Sequence, residues 1–262
     1  MASERDKLVL LSRVAEQADR YEDMLTFMDE VALNASEGLT VEERKLLSNA
    51  YKTMTGNLRR GWRSLVAIET REANKTVSPV LPLIRRSKTD ILDRLRAYCH
   101  RILEHVELRL LPAATTAESK VFYHKINGDY QRYLAESATG DHRITLVSKA
   151  LESYKTAWHI ADSQLPATDP TRLGLALNFS VFYFELLESP DRACHLAKYA
   201  FDTALESLDD LPEDDAADSI HILQLLKDNL SLWLQQMEIF PPEEEQKDSD
   251  PEQTLDPKKV AS

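Results

Sequence analysis

Apolar residues along this chain recur at intervals of three and four and rarely alternate, so the pattern predicts helices and few strands. The longest stripe is Leu47, Tyr51, Met54, Leu58, Trp62, Leu65 and Ile68, one face of a long helix that should end before Ser78-Pro79-Val80-Leu81-Pro82. Thr40-Val41-Glu42-Glu43 reads as the capping box that starts it: the Thr40 hydroxyl and the Glu43 carboxylate each satisfy an orphan backbone group. Two helices precede it, residues 3–18 and a second from about Asp19 that fades at Gly38. Further helices are expected from Lys88 to about Leu111, Glu118 to Ala138 (closed by Gly140), His142 to Gln164, Thr171 to Glu188, Asp191 to Leu208, and Glu213 to Met237. Asp169-Pro170 and Ser189-Pro190 each place a capping side chain before a proline suited to the first helical turn. The result is an all-α chain of nine helices, antiparallel wherever the connection is short. Residues 1–240 form the helical domain. Residues 241–262, acidic and poor in large apolar side chains, are expected to be disordered.

Charge narrows the function. Forty-four acids against 32 Lys and Arg give a net charge of −12, a surface that repels nucleic acid and anionic membrane at long range. It leaves room for a local basic pocket. No apolar stretch approaches a membrane span. The start of the chain carries charge before any apolar run and lacks a signal-like segment, so a cytoplasmic location, or a nuclear one, is expected. Cys99 and Cys194 lie far apart within apolar helical patterns and read as reduced and buried. The seven histidines are scattered, and no metal-ligand spacing, phosphate-cradling Gly-rich loop or nucleophile turn is present. No enzyme, cofactor or metal site is expected.

Four features remain. Lys52 and Arg59 are two helical turns apart and flank the apolar stripe, which suits either an anion or ordinary solvated charge. Arg132 precedes Tyr133 in Asp129-Tyr130-Gln131-Arg132-Tyr133, placing a planar guanidinium fork beside a phenol donor. Asn178 and Asn229 sit in otherwise apolar stretches, where an amide needs partners. Each amide could cap nearby backbone or hold the main chain of an extended peptide. Leu177 and Val181 are one turn apart, and Ile222, Leu225, Leu232 and Trp233 share a broad face with Asn229. Such walls are usually core.

Several long runs resemble the 14-3-3 family, in matching order. They are Ala15-Glu16-Gln17-Ala18-Asp19-Arg20-Tyr21-Glu22-Asp23-Met24, Glu42-Glu43-Arg44-Lys45-Leu46-Leu47-Ser48-Asn49-Ala50-Tyr51-Lys52 and Ala117-Glu118-Ser119-Lys120-Val121-Phe122-Tyr123. Two more are Arg172-Leu173-Gly174-Leu175-Ala176-Leu177-Asn178-Phe179-Ser180-Val181-Phe182-Tyr183 and Gln224-Leu225-Leu226-Lys227-Asp228-Asn229-Leu230-Ser231-Leu232-Trp233. The resemblance covers roughly residues 5–235 and implies a cup-shaped protomer that dimerises through its N-terminal helices. It implies a non-catalytic adaptor for clients carrying phosphoserine or phosphothreonine. Lys52, Arg59, Arg132 and Tyr133 then hold the phosphate. Lys125, Leu177, Asn178, Val181, Glu185, Ile222, Leu225, Asn229, Leu232 and Trp233 line the peptide groove.

The likeness has gaps. Leu58 stands where the family has an arginine, and Gly61 where many members carry a phosphorylatable serine linked to dimer control. The implied dimer interface comprises Val14, Ala18, Arg20, Asp23, Gly61, Asp90 and Arg94. The family pairs the equivalents of Arg20 and Asp23 with an acid and a base, but those partner positions are Arg94 and Asp90 here, so both charges are reversed. A weaker or re-registered homodimer, or pairing with a differently charged paralogue, is the consequence. His221 replaces an apolar groove residue and is expected to pack as a neutral ring. The alternative to a phosphate-dependent adaptor is a helical scaffold that has lost phosphate recognition.

Overall fold

A computed structural model describes residues 3–208 and 213–239. Among these there are nine α-helices and no strand: α1 Glu4–Gln17, α2 Tyr21–Leu33, α3 Val41–Ala73, α4 Leu81–His105, α5 Ala117–Glu136, α6 Gly140–Gln164, α7 Pro170–Glu185, α8 Pro190–Leu205 and α9 Glu213–Ile239. The disorder expected for residues 241–262 lies outside the described residues.

The local signals act as their chemistry dictates. Thr40 accepts from the Glu43 backbone N–H, and the Glu43 carboxylate accepts from that of Thr40, so α3 starts at the capping box. Asp169 caps the Thr171 and Arg172 N–H groups at the start of α7. Several boundaries differ from expectation, among them the ends of α7 and α8, which stop three residues short of Glu188 and Leu208. Helix α2 stops at Leu33, and Gly38 instead serves the following loop with φ +82°. Helix α4 starts at Leu81 rather than Lys88, because Pro82 lies in the first turn, where a missing N–H costs nothing. Beyond His105 the α4 pattern widens into one π-helical turn, Val106–Leu110, with the Leu111 N–H donating to the Val106 carbonyl at 2.9 Å. Ser189 makes no side-chain cap, and Gly140 opens α6 rather than merely closing α5.

The chain divides into two compact units, residues 1–114 with 133–143, and residues 115–132 with 144–262. In the first, α1 packs on α2, α2 on α3 and α3 on α4. Met24, Met28, Leu47, Tyr51, Leu95 and Ile102 form its fully buried centre. A polar cluster lies among them: Asp29 accepts from the Tyr51 hydroxyl at 2.5 Å and from Arg101 at 3.0 Å, with His105 Nε2 at 3.2 Å. In the second, α7 packs on α8 and α9, and α8 on α9. Its core is aromatic, with Tyr154 stacked on Phe179 at 5.2 Å and Phe179 on Tyr183 at 4.6 Å. Cys99 is buried, which pushes its thiol up to about 12, whereas Cys194 is only half-buried, contrary to expectation.

Candidate functional site

In the first unit, α3 carries Lys52 and, two turns on, Arg59. Lys52 is exposed and forms no ion pair with the described residues. Arg59 is half-buried. Its Nε and Nη2 donate to the two oxygens of Glu136 at 3.0 and 2.5 Å, and its guanidinium carbon sits 3.9 Å from the centre of the Tyr133 ring. Arg63, one turn further along α3, reaches Glu136 Oε2 at 3.3 Å. The structure thus joins Arg59 to Tyr133 and adds Glu136 and Arg63, which sequence reasoning did not single out. One signal was available: Arg63 follows Arg59 by four residues, and Glu136 follows Tyr133 by three, each on the same helical face.

In the second unit, the centre is Asp129 on α5, only 5% exposed. Its carboxylate accepts from the Tyr154 hydroxyl at 2.6 Å, from Lys125 Nζ at 2.9 Å and from Asn178 Nδ2 at 2.8 and 2.9 Å. Arg132 Nη2 lies 3.8 Å away, and Arg132 Nε donates to the Tyr154 hydroxyl at 3.2 Å. Three expected site residues, Lys125, Arg132 and Asn178, therefore meet at one carboxylate. Gly128 permits the approach, since a Cβ there would fall 2.7 Å from the Tyr154 ring. Burial opposes the charge on Asp129, but Lys125, Arg132 and the Tyr154 hydrogen bond outweigh it and hold the carboxyl below its ordinary range. Burial, then Asp129, pushes the Tyr154 phenol well above its ordinary value.

A depressed carboxyl contributes stability above its unfolded pKa, about 4, and loses it as pH falls through the folded value. Urea midpoints measured between about pH 4 and pH 2 should therefore fall less steeply in Asp129→Asn than in the wild type. Equal slopes would contradict the assignment.

The remaining groove candidates lie on the packed helices α7 and α9. Leu177, Val181, Ile222 and Asn229 are half-buried, Glu185 is exposed, and Leu225 and Leu232 are exposed apolar side chains. Trp233 is buried, as are Ser219, Leu223 and Leu226 of α9, and its indole is stacked on Phe184 at 4.9 Å. His221, expected to be packed, is exposed.

Of the expected interface residues, Arg20, Asp23 and Arg94 line one groove of about 570 Å³ in the first unit, with Glu22, Leu58 and Ile91. Arg94 pairs with Glu22 of its own chain at 3.3 Å, and Arg20 with Asp23. Val14, Ala18 and Asp90 are exposed and Gly61 is half-buried. Val14 joins Leu10 and Leu11 in an exposed apolar strip on α1.

Helices throughout, cations held by buried carboxylates and an amide-bearing apolar face describe an all-helical binding protein. Among the described residues no group of His, Cys, Asp and Glu could hold a metal ion, and no helix is long and apolar enough to cross a membrane. A family model described as 14-3-3 protein matches residues 11–234. A 14-3-3 protein homolog of Trichoderma harzianum is 52% identical over 86% of both chains. The checkpoint signal transducer rad25 of Schizosaccharomyces pombe is 50% identical over 89% of this chain and 86% of its own. The 14-3-3 protein epsilon of Drosophila melanogaster is 50% identical over 90% of both. This chain belongs to the 14-3-3 family, whose members are adaptors rather than enzymes.

Proposed function

We propose that this protein recognises phosphoserine or phosphothreonine in client proteins, with Lys52, Arg59, Arg132 and Tyr133 as the phosphate-binding residues. The observation that carries the reading is the state of Arg59. One edge of its guanidinium is taken up by Glu136 and one face by Tyr133, while Nη1 makes no hydrogen bond to the described residues. Lys52 likewise has no counter-ion among them. In a chain of net charge −12, Lys52 without a counter-ion among the described residues, and Arg59 and Arg63 sharing the Glu136 carboxylate, give α3 a local cationic character that suits an incoming anion.

The mechanism follows from charge. A phosphate carries about −1.5 to −2 at neutral pH. Charge-assisted bonds to it are worth about 1.5–3 kcal/mol each, and an unmodified hydroxyl gains none of them. The groove candidates on α5, α7 and α9 would then hold the flanking peptide through amides and apolar side chains. The test compares an Arg-x-x-pSer-x-Pro peptide with its unphosphorylated twin by isothermal titration. The phosphorylated form should bind about a hundredfold tighter or more. Equal affinities would favour the phosphate-independent scaffold.

We further propose a dimer built on the N-terminal helices, in the cytoplasm. The exposed strip of Leu10, Leu11 and Val14 supports it. Arg94 and Asp90 carry the sign opposite to their family counterparts, so apolar contact has to overcome like-charge pairing. The in-chain partners of Arg94 and Arg20 soften that repulsion. Sedimentation equilibrium should give self-association weaker than nanomolar that tightens as salt rises from about 0.05 M to about 0.5 M. A salt-insensitive nanomolar homodimer would refute this.

A further inference from the structure

Among the described residues, Asp129 is a carboxylate that touches Lys125, Arg132 and Asn178 at once, and it belongs to none of the roles given above. It is 5% exposed and ionised, so it can only accept hydrogen bonds. An amide facing it must therefore present its NH2 group, and Asn178 does so to both oxygens, at 2.8 and 2.9 Å. That fixes the other end. Asn178 Oδ1 points away from the carboxylate and takes no hydrogen bond from the described residues, although the side chain is half-buried. Without Asp129 the amide could turn over at little cost and offer either a donor or an acceptor.

We propose that Asp129 is a positioning residue for peptide recognition: it locks the Asn178 amide so that Oδ1 is offered as an acceptor to a main-chain N–H of a bound extended peptide. The inference rests on the phosphopeptide reading above and specifies its polarity. The same carboxylate holds Lys125 Nζ at 2.9 Å, so the lysine is pinned in register with the amide. Tyr154 and Gly128 serve the arrangement in turn. The phenol donates to Asp129 at 2.6 Å, and the missing Cβ of Gly128 leaves space for its ring. The ion pairs with Lys125 and Arg132 also offset part of their positive charge. Asp129 therefore lowers attraction for a bare anion while it favours a peptide, and the two effects have opposite signs.

That opposition supplies the test. The full-length wild type and Asp129→Asn are titrated with the Arg-x-x-pSer-x-Pro peptide, its unphosphorylated twin and inorganic phosphate. The variant should bind the phosphopeptide about tenfold more weakly or worse, and inorganic phosphate at least as tightly as the wild type. A residue of merely structural importance would weaken both probes together, and that result, or an unchanged phosphopeptide affinity, overturns the proposal. If the wild type itself fails to distinguish the peptide from its twin, the underlying functional reading has failed instead. Should Asp129→Asn not fold, the wild type decides by NMR. The two Asn178 side-chain amide protons should exchange slowly in the ligand-free protein at neutral pH, and rapid exchange would overturn the assignment.

Discussion

Arg59→Glu is expected to lower affinity for a phosphorylated client peptide by about a hundredfold or more. On the proposed reading the substitution removes at least two charge-assisted bonds to phosphate, together about 3 kcal/mol or more, where 1.4 kcal/mol is a factor of ten. It also sets a new carboxylate against Glu136, whose side chain is only 10% exposed and is also reached by Arg63 at 3.3 Å. Two acids near one small site repel the dianion as well as each other. Fluorescence anisotropy with a labelled phosphopeptide reads the effect, and circular dichroism checks that the helices persist. Retention of affinity within about threefold would show that Arg59 is not a phosphate ligand. The unphosphorylated peptide should respond little, which separates loss of charge recognition from damage to the groove.

Arg172→Ala should produce the largest loss of stability, about 3 kcal/mol or more. Arg172 is buried, and its guanidinium closes the end of α6. Nη1 donates to the Leu165 carbonyl at 2.8 Å and, at longer range, to those of Asp162 and Ala161, while Nη2 donates to the Asp162 carboxylate at 2.8 Å. Truncation strands that carboxylate, which among the described residues keeps only the Tyr199 hydroxyl at 3.1 Å, and takes a donor from the helix-terminal carbonyls. The guanidinium also lies 5.9 Å from the Trp158 ring, so packing is lost with the charge. Arg172→Lys should fall between wild type and alanine, because it keeps the charge but cannot reach two acceptors with one fork. Urea unfolding measures both. A midpoint change equivalent to less than about 0.5 kcal/mol would place Arg172 among ordinary surface residues.

Much of the molecule was legible before any coordinates. The apolar period over Leu47, Tyr51, Met54 and Leu58 marked the buried face of α3, and all four are buried. Thr40 with Glu43, and Asp169 before Pro170, marked the caps of two helix starts. The spacing of Lys52 and Arg59 placed both cations two turns apart on α3, which the helix over Val41–Ala73 bears out. All of these signals act within about four residues along the chain, the reach of a helical hydrogen bond and of a capping side chain, so a linear text contains them.

The carboxylates that gather side chains from distant parts of the chain were not legible. Glu136 meets Arg59 from 77 residues away, Asp129 meets Asn178 from 49, and Asp29 meets His105 from 76. In the sequence each is one acid among 44, with nothing local to set it apart. Which acid becomes buried, and which cation or amide lies opposite, depends on the turn of one helix that packs beside a turn of another. The same holds for Trp233, whose period placed it on a broad apolar face but whose ring partner, Phe184, lies on another helix. Helical order is determined by neighbours along the chain. Partner choice is determined by packing, because only a folded interior withdraws a charge from water and so makes its one remaining partner matter.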